Sequence, residues 1–337
     1  MVRNLSIVNL LLIVLLLVLL YTISERWWFS AALTYLPRSP FVLPSLLLLA
    51  CSVRCHRRSI WVNVLTALLV VGPVMGLKLP LASLVATPAS STSLKVVSCN
   101  VQHYEPNLAA VLTEIAVLNP DVVAFQEARF EHPLLAEFFK DWHTVQEEEF
   151  WVGSRFPVRL LGKCAGVAFD RDTAISVEVS APQRTFRLFN VHQTTPRRSL
   201  TELDPGSLIS GAGQRRVERH LVLREEESHT TRVFVADTDP STPYLVVGDF
   251  NMPTSSNLFQ TYWGDLTNAF DVTGCGYGYT SPCRRHRAWP DFFPWIRIDH
   301  ILASEHWCVQ GCRVGRGNGS DHRLIAATLQ LEGATNP

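Results

Sequence analysis

The sequence predicts a membrane region of about three helices followed by one large domain of mixed α and β structure. Two observations lead to this prediction. Long apolar stretches with few charges fill the first 85 of the 337 residues, and about 20 such residues cross a bilayer as a helix. From Lys95 onward, apolar runs of strand length alternate with segments whose apolar residues recur at helical spacing. We therefore predict a membrane region at 1–85, a linker at 86–94 and a globular domain at 95–333.

Three apolar segments are candidates for transmembrane helices, at about residues 5–22, 33–53 and 60–81. The first is alternatively a signal peptide, but its apolar run is long and no small-residue cleavage site follows at Thr22–Ser24. The second reaches spanning length only if one helix tolerates the segment Pro37–Pro40. The pattern predicts a multi-pass membrane protein.

Charge is distributed unevenly along the chain. The chain has 30 acidic and 30 basic residues. The first 85 residues contain one acidic and seven basic residues, which leaves 29 acidic and 23 basic residues for the remainder. Three arginines crowd the short loop Arg54–Arg58, and loops rich in arginine face the cytoplasm. With three spans, everything after residue 85 lies on the opposite side. We therefore expect a cell-membrane protein whose globular domain is extracytoplasmic and, being acidic, has no general attraction for nucleic acid.

Four cysteines cluster late in the chain. In an oxidising compartment Cys275–Cys283 and Cys308–Cys312 are natural local disulfides. A zinc site made by the same four cysteines is the alternative, although their spacings differ from those of paired C-x-x-C motifs.

Polar side chains follow at least five of the predicted strands, at the point where each apolar run ends. After the run Tyr244–Val247, residues Asp249 and Asn251 lie two apart, so on an extended chain they point to the same side. Each such residue alone has an ordinary explanation as a cap, an ion pair or a core histidine. Their number in one domain predicts a functional site. The full set is Asn100, Glu127, His192, Asp249 with Asn251, and Asp299 with His300, and Asp321 with His322 precedes the final strand.

Six short segments carry a resemblance to a known family. They are Ser98–Asn100, Phe125–Glu127, Asn190–His192, Gly248–Asn251, Ile298–His300 and Ser320–His322. In this order, across residues 95–331, they resemble the motifs of the endonuclease/exonuclease/phosphatase superfamily, which includes pancreatic deoxyribonuclease and neutral sphingomyelinases. The chain is similar to a membrane-anchored, bacterial-type member. The resemblance implies an α+β fold, a four-layer α/β/β/α sandwich of the deoxyribonuclease I type, with the site at one end of the sheets.

The resemblance also implies phosphoester hydrolysis assisted by a divalent metal, Mg²⁺ or Mn²⁺. Glu127 is then the best candidate for a metal ligand, helped by Asn100 and Asp321, because magnesium prefers oxygen ligands. Asp249 is expected to orient and deprotonate the attacking water. Asn251 is expected to hydrogen-bond the phosphoryl oxygens in the transition state.

Two histidines complete the implied site. His322 is expected to contact the phosphate, with Asp299 or Asp321 accepting an imidazole N–H, and we prefer Asp299 for that role. His192 is expected to be the second imidazole beside the scissile phosphate.

Two residues of this region need separate comment. Some nuclease members have an acidic residue where Gln102 stands here, which favours a single metal. His300 follows Asp299 in its strand and is expected to point to the other face.

Two functions remain open. The first is a membrane-anchored, metal-dependent phosphoester hydrolase, and the alternative is a catalytically inactive, membrane-tethered binding protein on the same fold. The completeness of the site favours the hydrolase. The substrate stays open between nucleic acid, a phospholipid head group and a small phosphate ester. The N-terminal helices are expected to contact the lipid bilayer, and no obligate protein partner is evident. A charged helix at 214–227 either shapes substrate access or is merely exposed. A basic, aromatic run at 284–295 either contacts a lipid head group, a nucleic acid backbone or the membrane surface, or is a disulfide-bordered loop that packs on the domain.

Overall fold

The computed structural model describes residues 1–80, 93–167, 170–182, 184–283, 293–317 and 319–332. The chain divides into two compact units. The first comprises Met1–Lys78 with Ser255–Asn257, and the second comprises Leu79–Thr254 with Leu258–Pro337. Of the predicted linker, residues 86–92 lie outside the described residues.

The first unit contains four α-helices: α1 (Val2–Val18), α2 (Trp28–Tyr35), α3 (Val42–Cys55) and α4 (Ile60–Leu69). Within the described residues, the helical stretches Val2–Arg26 and Arg57–Val74 are long and apolar enough to cross a membrane. A third candidate exists only if α2 and the stretch Ser39–Cys55, which are bent by 93°, count as one span. The predicted helix at 33–53 is therefore not continuous. Its break lies at Pro37–Pro40, because proline lacks the N–H that a helix interior requires.

Polar side chains lie buried between the apolar helices of this unit. Asn63 on α4 donates to Ser6 Oγ at 3.0 Å and to Ser52 Oγ at 2.8 Å, and Asn9 donates to Ser45 Oγ at 3.0 Å. Hydrogen bonds of this kind hold transmembrane helices together, because lipid offers the polar groups no alternative partner.

The second unit is built on two six-stranded sheets. Sheet 1 has the order β11-β12-β1-β2-β4-β3, formed by Trp307–Val314 (β11), Ile325–Leu331 (β12), Leu94–Asn100 (β1), Val122–Gln126 (β2), Phe150–Ser154 (β4) and His143–Glu147 (β3). Sheet 2 has the order β5-β6-β7-β8-β10-β9, formed by Val158–Ala165 (β5), Asp172–Ser180 (β6), Thr185–His192 (β7), Tyr244–Asp249 (β8), Asp299–Ala303 (β10) and Thr267–Asn268 (β9).

Helices complete the second unit: α5 (Leu108–Leu118), α6 (Pro133–Phe138), α7 (Arg197–Thr201), α8 (Pro205–Ile209), α9 (Ala212–Ala236), α10 (Asn257–Trp263) and α11 (Ala269–Thr273). Alternation along the strands determines what each face buries. On β1, Val96 belongs to the core between the sheets, whereas Val97 packs with Ile115 of α5. On the other side, Val246 of β8 packs with Trp263 of α10. The predicted α+β sandwich, with helices on the outer faces of two packed sheets, is confirmed.

Strand register brings the polar strand ends to one edge. The pairs β1–β2 and β7–β8 are parallel, so their carboxyl ends coincide, and His192 pairs with Asp249. Antiparallel β10 places Asp299 beside Asp249. Gly248 makes the close β7–β8 approach possible, because it has φ +142° and a Cβ there would lie 1.9 Å from the carbonyl oxygen of Val191.

All eight cysteines lie in the described residues and have free thiols, so both predicted disulfides are wrong. Cys308 and Cys312 lie on one strand, where four residues span about 13 Å, well beyond disulfide reach. Cys283 is buried and its thiol contacts the carbonyl oxygen of Thr280 at 3.2 Å, whereas Cys275 is exposed. Among the described residues, the groups that could hold a metal contain no cysteine.

Candidate active site

Asp249 lies at the centre of the polar strand ends. Its carboxylate is buried and accepts hydrogen bonds from the Asn251 backbone N–H at 2.9 Å and from Asn100 Nδ2 at 3.2 Å. Asp249 Oδ2 also lies 3.7 Å from His322 Nε2 and 3.8 Å from His192 Nε2. Burial raises the pKa of Asp249 to about 6, against the lowering effect of the His322 charge. A raised carboxylate pKa suits a general base near neutral pH.

The first acid–histidine pair is Asp299 with His322. His322 Nδ1 lies 2.8 Å from Asp299 Oδ2, and both residues are buried. The Asp299 backbone N–H lies 3.3 Å from Thr280 Oγ1. Burial alone lowers the pKa of His322, but the charges of Asp299 and Asp249 raise it well above its ordinary value. Asp299, rather than Asp321, therefore accepts the imidazole N–H, which leaves Nε2 facing Asp249.

A second acid–histidine pair, His192 with Glu149, was missed from the sequence. His192 Nδ1 lies 2.7 Å from Glu149 Oε1, and Glu149 also binds Arg171 at 2.7 Å and Arg129 at 3.1 Å. Burial lowers the pKa of His192, yet its bond to Glu149 raises it overall. Glu149 lies just before β4, and no apolar run ends at this residue. The pattern of polar residues at strand ends therefore did not indicate it.

Glu127 and Asn100 lie beside Asp249 on the other side. Asn100 Nδ2 donates to Glu127 Oε1 at 2.9 Å as well as to Asp249. Glu127 has φ +57° and Asn251 has φ +51°. This left-handed conformation is costly for a glutamate, although asparagine tolerates it, and such strained residues cluster at functional sites. Asp321 is partly exposed, and among the described residues its carboxylate accepts a long, 3.5 Å hydrogen bond from Ser320 Oγ.

Similarity to known proteins agrees with this geometry. The profile described as Endonuclease/Exonuclease/phosphatase family matches residues 97–322. The chain belongs to the endonuclease/exonuclease/phosphatase family. Members of this family are phosphoester hydrolases, and they generally use divalent metals. No curated protein sequence matches the chain.

Two solved structures show the shared fold of the family. One is the 3′ phosphatase NExo from Neisseria bound to a product DNA hairpin, with a TM-score of 0.51 and 20% identity over 69% of this chain and 98% of that one. The other is TDP2 from D. rerio in complex with a single-stranded DNA product, with a TM-score of 0.51 and 14% identity over 71% of this chain and 100% of that one.

The donor set fits the divalent metal that the family uses. Glu127 supplies a carboxylate that is 24% exposed, so an ion can reach it from solvent. The buried side-chain oxygen of Gln102, two residues after Asn100, has no hydrogen-bond partner among the described residues. Free carboxylate and carboxamide oxygens are ligands that Mg²⁺ and Mn²⁺ accept. Asp249, Asp299 and His322 also each offer one possible ligand atom, and these three atoms lie within 4.8 Å of one another. However, Asp299 is already hydrogen-bonded to His322.

Asn251 differs from its expected role. Its side-chain Nδ2 donates to the Gln193 carbonyl at 2.8 Å and to Asp249 Oδ2 at 3.1 Å. Both amide hydrogens are thus used inside the protein. Donation to a phosphoryl oxygen would require Asn251 to release one of these bonds, so in this state it orients Asp249.

The charged helix predicted at 214–227 is part of α9, and its inner face supports the site. Arg224, Glu227 and Ser228 are buried. Glu227 accepts hydrogen bonds from the Thr194 N–H at 2.6 Å and hydroxyl at 2.8 Å, and Ser228 Oγ donates to Gln193 Oε1 at 2.8 Å. The helix is therefore not merely exposed. Residues 284–292 of the basic, aromatic run lie outside the described residues.

His300 has a structural role. It is fully buried, its Nε2 lies 2.9 Å from the Met252 carbonyl oxygen and its Nδ1 lies 3.1 Å from Asn268 Nδ2. Burial lowers the pKa of His300 to about 3, so the ring is neutral at physiological pH. Its ring packs against Phe259 in a tilted arrangement, with ring centroids 4.6 Å apart, on the face of β10 opposite Asp299.

Proposed function

We propose that the chain is a membrane-anchored, divalent-metal-dependent phosphoester hydrolase in which an activated water attacks phosphorus. The observation that carries the proposal is the position of Asp249 Oδ2, which lies between the Nε2 atoms of two histidines, each held by its own buried acid. This arrangement places a base and two imidazoles around one small volume. Such a set fits proton removal from a water and proton delivery to a leaving oxygen.

Each residue has a proposed part. Asp249 orients the water and removes its proton, while Asn251 holds the carboxylate in place. His322 contacts the phosphate, and Asp299 keeps its Nε2 directed at the reacting centre. His192 donates a proton to the leaving oxygen, with Glu149 holding its ring.

The metal belongs beside Glu127. Glu127 and Asn100 would hold it, and Asp321 is a more distant third candidate. When bound, the ion offsets negative charge that develops on the phosphoryl oxygens.

Nucleic acid is the first substrate class to test, because both structural neighbours carry DNA products. A phospholipid head group and a small phosphate ester are the alternatives. The full-length chain in detergent should be assayed with Mg²⁺, Mn²⁺ or a chelator on DNA with a 3′ phosphate, plasmid DNA, sphingomyelin and inositol phosphates. We expect hydrolysis of one class, and loss of that hydrolysis with the chelator.

The matched variants for this assay are Asp249→Asn and Asp265→Asn. Asp265 is exposed and pairs with Arg232 on the surface, so its variant controls for the loss of a carboxylate. We expect Asp249→Asn to lower turnover by about 10²–10⁴-fold, as loss of a general base typically does. Equal turnover in wild type and Asp249→Asn would overturn the catalytic role of Asp249. Absence of turnover on every substrate would support the alternative, an inactive binding protein on this fold.

We also propose that residues 1–85 form the anchor and place the domain at 95–333 outside the cytoplasm. The arginine-rich loop Arg54–Arg58 and the two or three candidate spans support this arrangement. A phosphatase fusion at residue 90 tests it, since the reporter is active only outside the cytoplasm. A cytoplasmic reporter would overturn the three-span count and the extracytoplasmic placement of the domain.

A further inference from the structure

His103 lies against Glu127 without any role in the proposed chemistry. Three consecutive residues, Gln102, His103 and Tyr104, have positive φ values of 44°, 54° and 71°. The Tyr104 hydroxyl fixes this left-handed segment by donating to the Phe130 carbonyl at 2.5 Å. The segment places the His103 ring beside the Glu127 carboxylate, where 45% of the His103 side chain remains exposed to solvent.

The hydrogen bonds of His103 define which ring nitrogen carries a proton. Its Nδ1 lies 3.1 Å from the backbone carbonyl oxygen of Glu127, and a carbonyl can only accept, so Nδ1 is the donor. In the neutral ring, Nε2 then carries a lone pair. This Nε2 lies 3.4 Å from Glu127 Oε2, which also carries lone pairs. A neutral ring thus places two acceptors face to face, which a bound cation would bridge, whereas a protonated ring would donate its Nε2–H to Glu127 in an ion pair.

We propose that His103 is a nitrogen ligand of the metal held by Glu127, so that the site prefers Mn²⁺, or a similar transition-metal ion, over Mg²⁺. Two neighbouring ligands, each about 2.1 Å from one octahedral ion, lie about 3 Å apart, close to the separation seen here. Imidazole suits transition metals, whereas Mg²⁺ selects oxygen. Metal-binding histidines also commonly donate their other N–H to a backbone carbonyl, as His103 does.

The inference rests on the proposed metal dependence, but its test does not use activity. The full-length chain in detergent is titrated with Mn²⁺ alone, and electron paramagnetic resonance measures both free Mn²⁺ and nitrogen coupling to the bound ion. Mg²⁺ affinity follows from competition. The test variant is His103→Asn, because asparagine tolerates a left-handed backbone and its shorter side chain has no imidazole. The control is His143→Asn, at an exposed histidine on β3.

We expect wild type and His143→Asn to bind Mn²⁺ with nitrogen coupling. In His103→Asn, Mn²⁺ affinity should fall by about tenfold or more and the coupling should disappear. Mg²⁺ affinity should change by less than about threefold, because water can replace the lost ligand. Unchanged or tighter Mn²⁺ binding in His103→Asn would overturn the inference. Tighter binding would show that His103 is a protonated counter-ion of Glu127 that competes with the metal.

Failure of this inference is distinguishable from failure of the proposed function. Hydrolysis by a wild-type chain whose bound Mn²⁺ lacks nitrogen coupling overturns the role of His103 and leaves the hydrolase intact. Nitrogen-coupled Mn²⁺ that His103→Asn removes, in a chain that hydrolyses none of the phosphoesters, supports the role of His103 and removes the hydrolase. A chain that binds neither ion overturns both.

Discussion

Arg224 Nη2 donates a 2.8 Å hydrogen bond to the backbone carbonyl of Asn251, and Nε of the same guanidinium donates to the Thr194 carbonyl at 2.8 Å. Arg224 is only 2% exposed. One side chain of α9 thus joins the loop after β8, which carries Asn251, to the loop after β7, which follows His192. A guanidinium bridges two acceptors with fixed geometry, so it sets the separation of these loops.

Replacing Arg224 should reduce turnover without weakening substrate binding. Misplacement of a catalytic group by about 1 Å costs about 10²-fold in rate, and we expect a fall of this size in kcat for Arg224→Met. KM should stay within about threefold, because Arg224 is buried away from substrate. Arg224→Lys should recover part of the loss, since an ammonium group reaches one of the two carbonyls. Steady-state kinetics of the three proteins measure this.

The control for Arg224 is Thr231→Val on the same helix. Thr231 is buried and its hydroxyl lies 2.8 Å from Thr173 Oγ1, away from both loops. Its loss should lower stability while kcat stays at the wild-type value. If Thr231→Val lowered kcat as much as Arg224→Met, general destabilisation of α9 would explain both effects.

Asp299→Asn should leave the fold intact and still lower kcat by about 10²–10⁴-fold. The carboxamide keeps a polar partner near His322 Nδ1 but removes the charge that stabilises the imidazolium. The companion variant is Asp321→Asn, which should have the smaller effect on turnover. The reverse order of effects would transfer the orienting role to Asp321.

Glu149 makes stability depend on pH in the acid range. Burial raises its pKa, but the hydrogen bond and charge of His192, with the charge of Arg171, lower it from the ordinary 4.5 to about 2. A lowered carboxyl pKa stabilises the fold above about pH 4.5, and this contribution is lost as pH falls toward 2. With about 1.4 kcal/mol for each pKa unit, the contribution is about 3 kcal/mol.

Glu149→Gln should therefore lower the free energy of unfolding at pH 7 and flatten its fall between about pH 4.5 and 2. Urea unfolding followed by tryptophan fluorescence at a series of pH values measures both. Glu137→Gln is the control, because Glu137 on α6 forms an exposed pair with Lys140, just after that helix. An unchanged acid slope in Glu149→Gln would show that its carboxylate has the same pKa in the folded and unfolded chain.

Asn63 should hold the helices of the first unit together. Asn63→Leu removes hydrogen bonds to Ser6 and Ser52 and should destabilise the helix assembly by about 1 kcal/mol. Unfolding of the full-length chain by sodium dodecyl sulfate, followed by circular dichroism, reports this change. Leu65→Ala, at an exposed apolar position on α4, should unfold like wild type.

Local sequence signals predicted many of the residues that the structure brings together in the candidate site. Asn100, Glu127, His192 and Asp249 each end an apolar run. The strands before them form two parallel pairs, β1–β2 in sheet 1 and β7–β8 in sheet 2, so the carboxyl ends of each pair lie side by side. Glu149, Arg171 and Arg224 follow no such rule. They come from a turn, a strand start and the middle of a helix. Hydrogen bonds and ion pairs between residues tens of positions apart join these side chains to the site. No local sequence pattern predicts those contacts.

The sequence by itself determined the class of fold, the apolar helices near the amino terminus and the identities of the residues at the strand ends, because periodicity and composition act over short distances. Only the tertiary structure decided which acid holds which histidine, that the helix at 33–53 breaks, and that Cys308 and Cys312 cannot pair. It also showed that the charged helix α9 has a buried face, from which Arg224 donates a hydrogen bond to the Asn251 carbonyl. Burial forces each charged side chain to find a partner, and packing of the whole chain selects that partner.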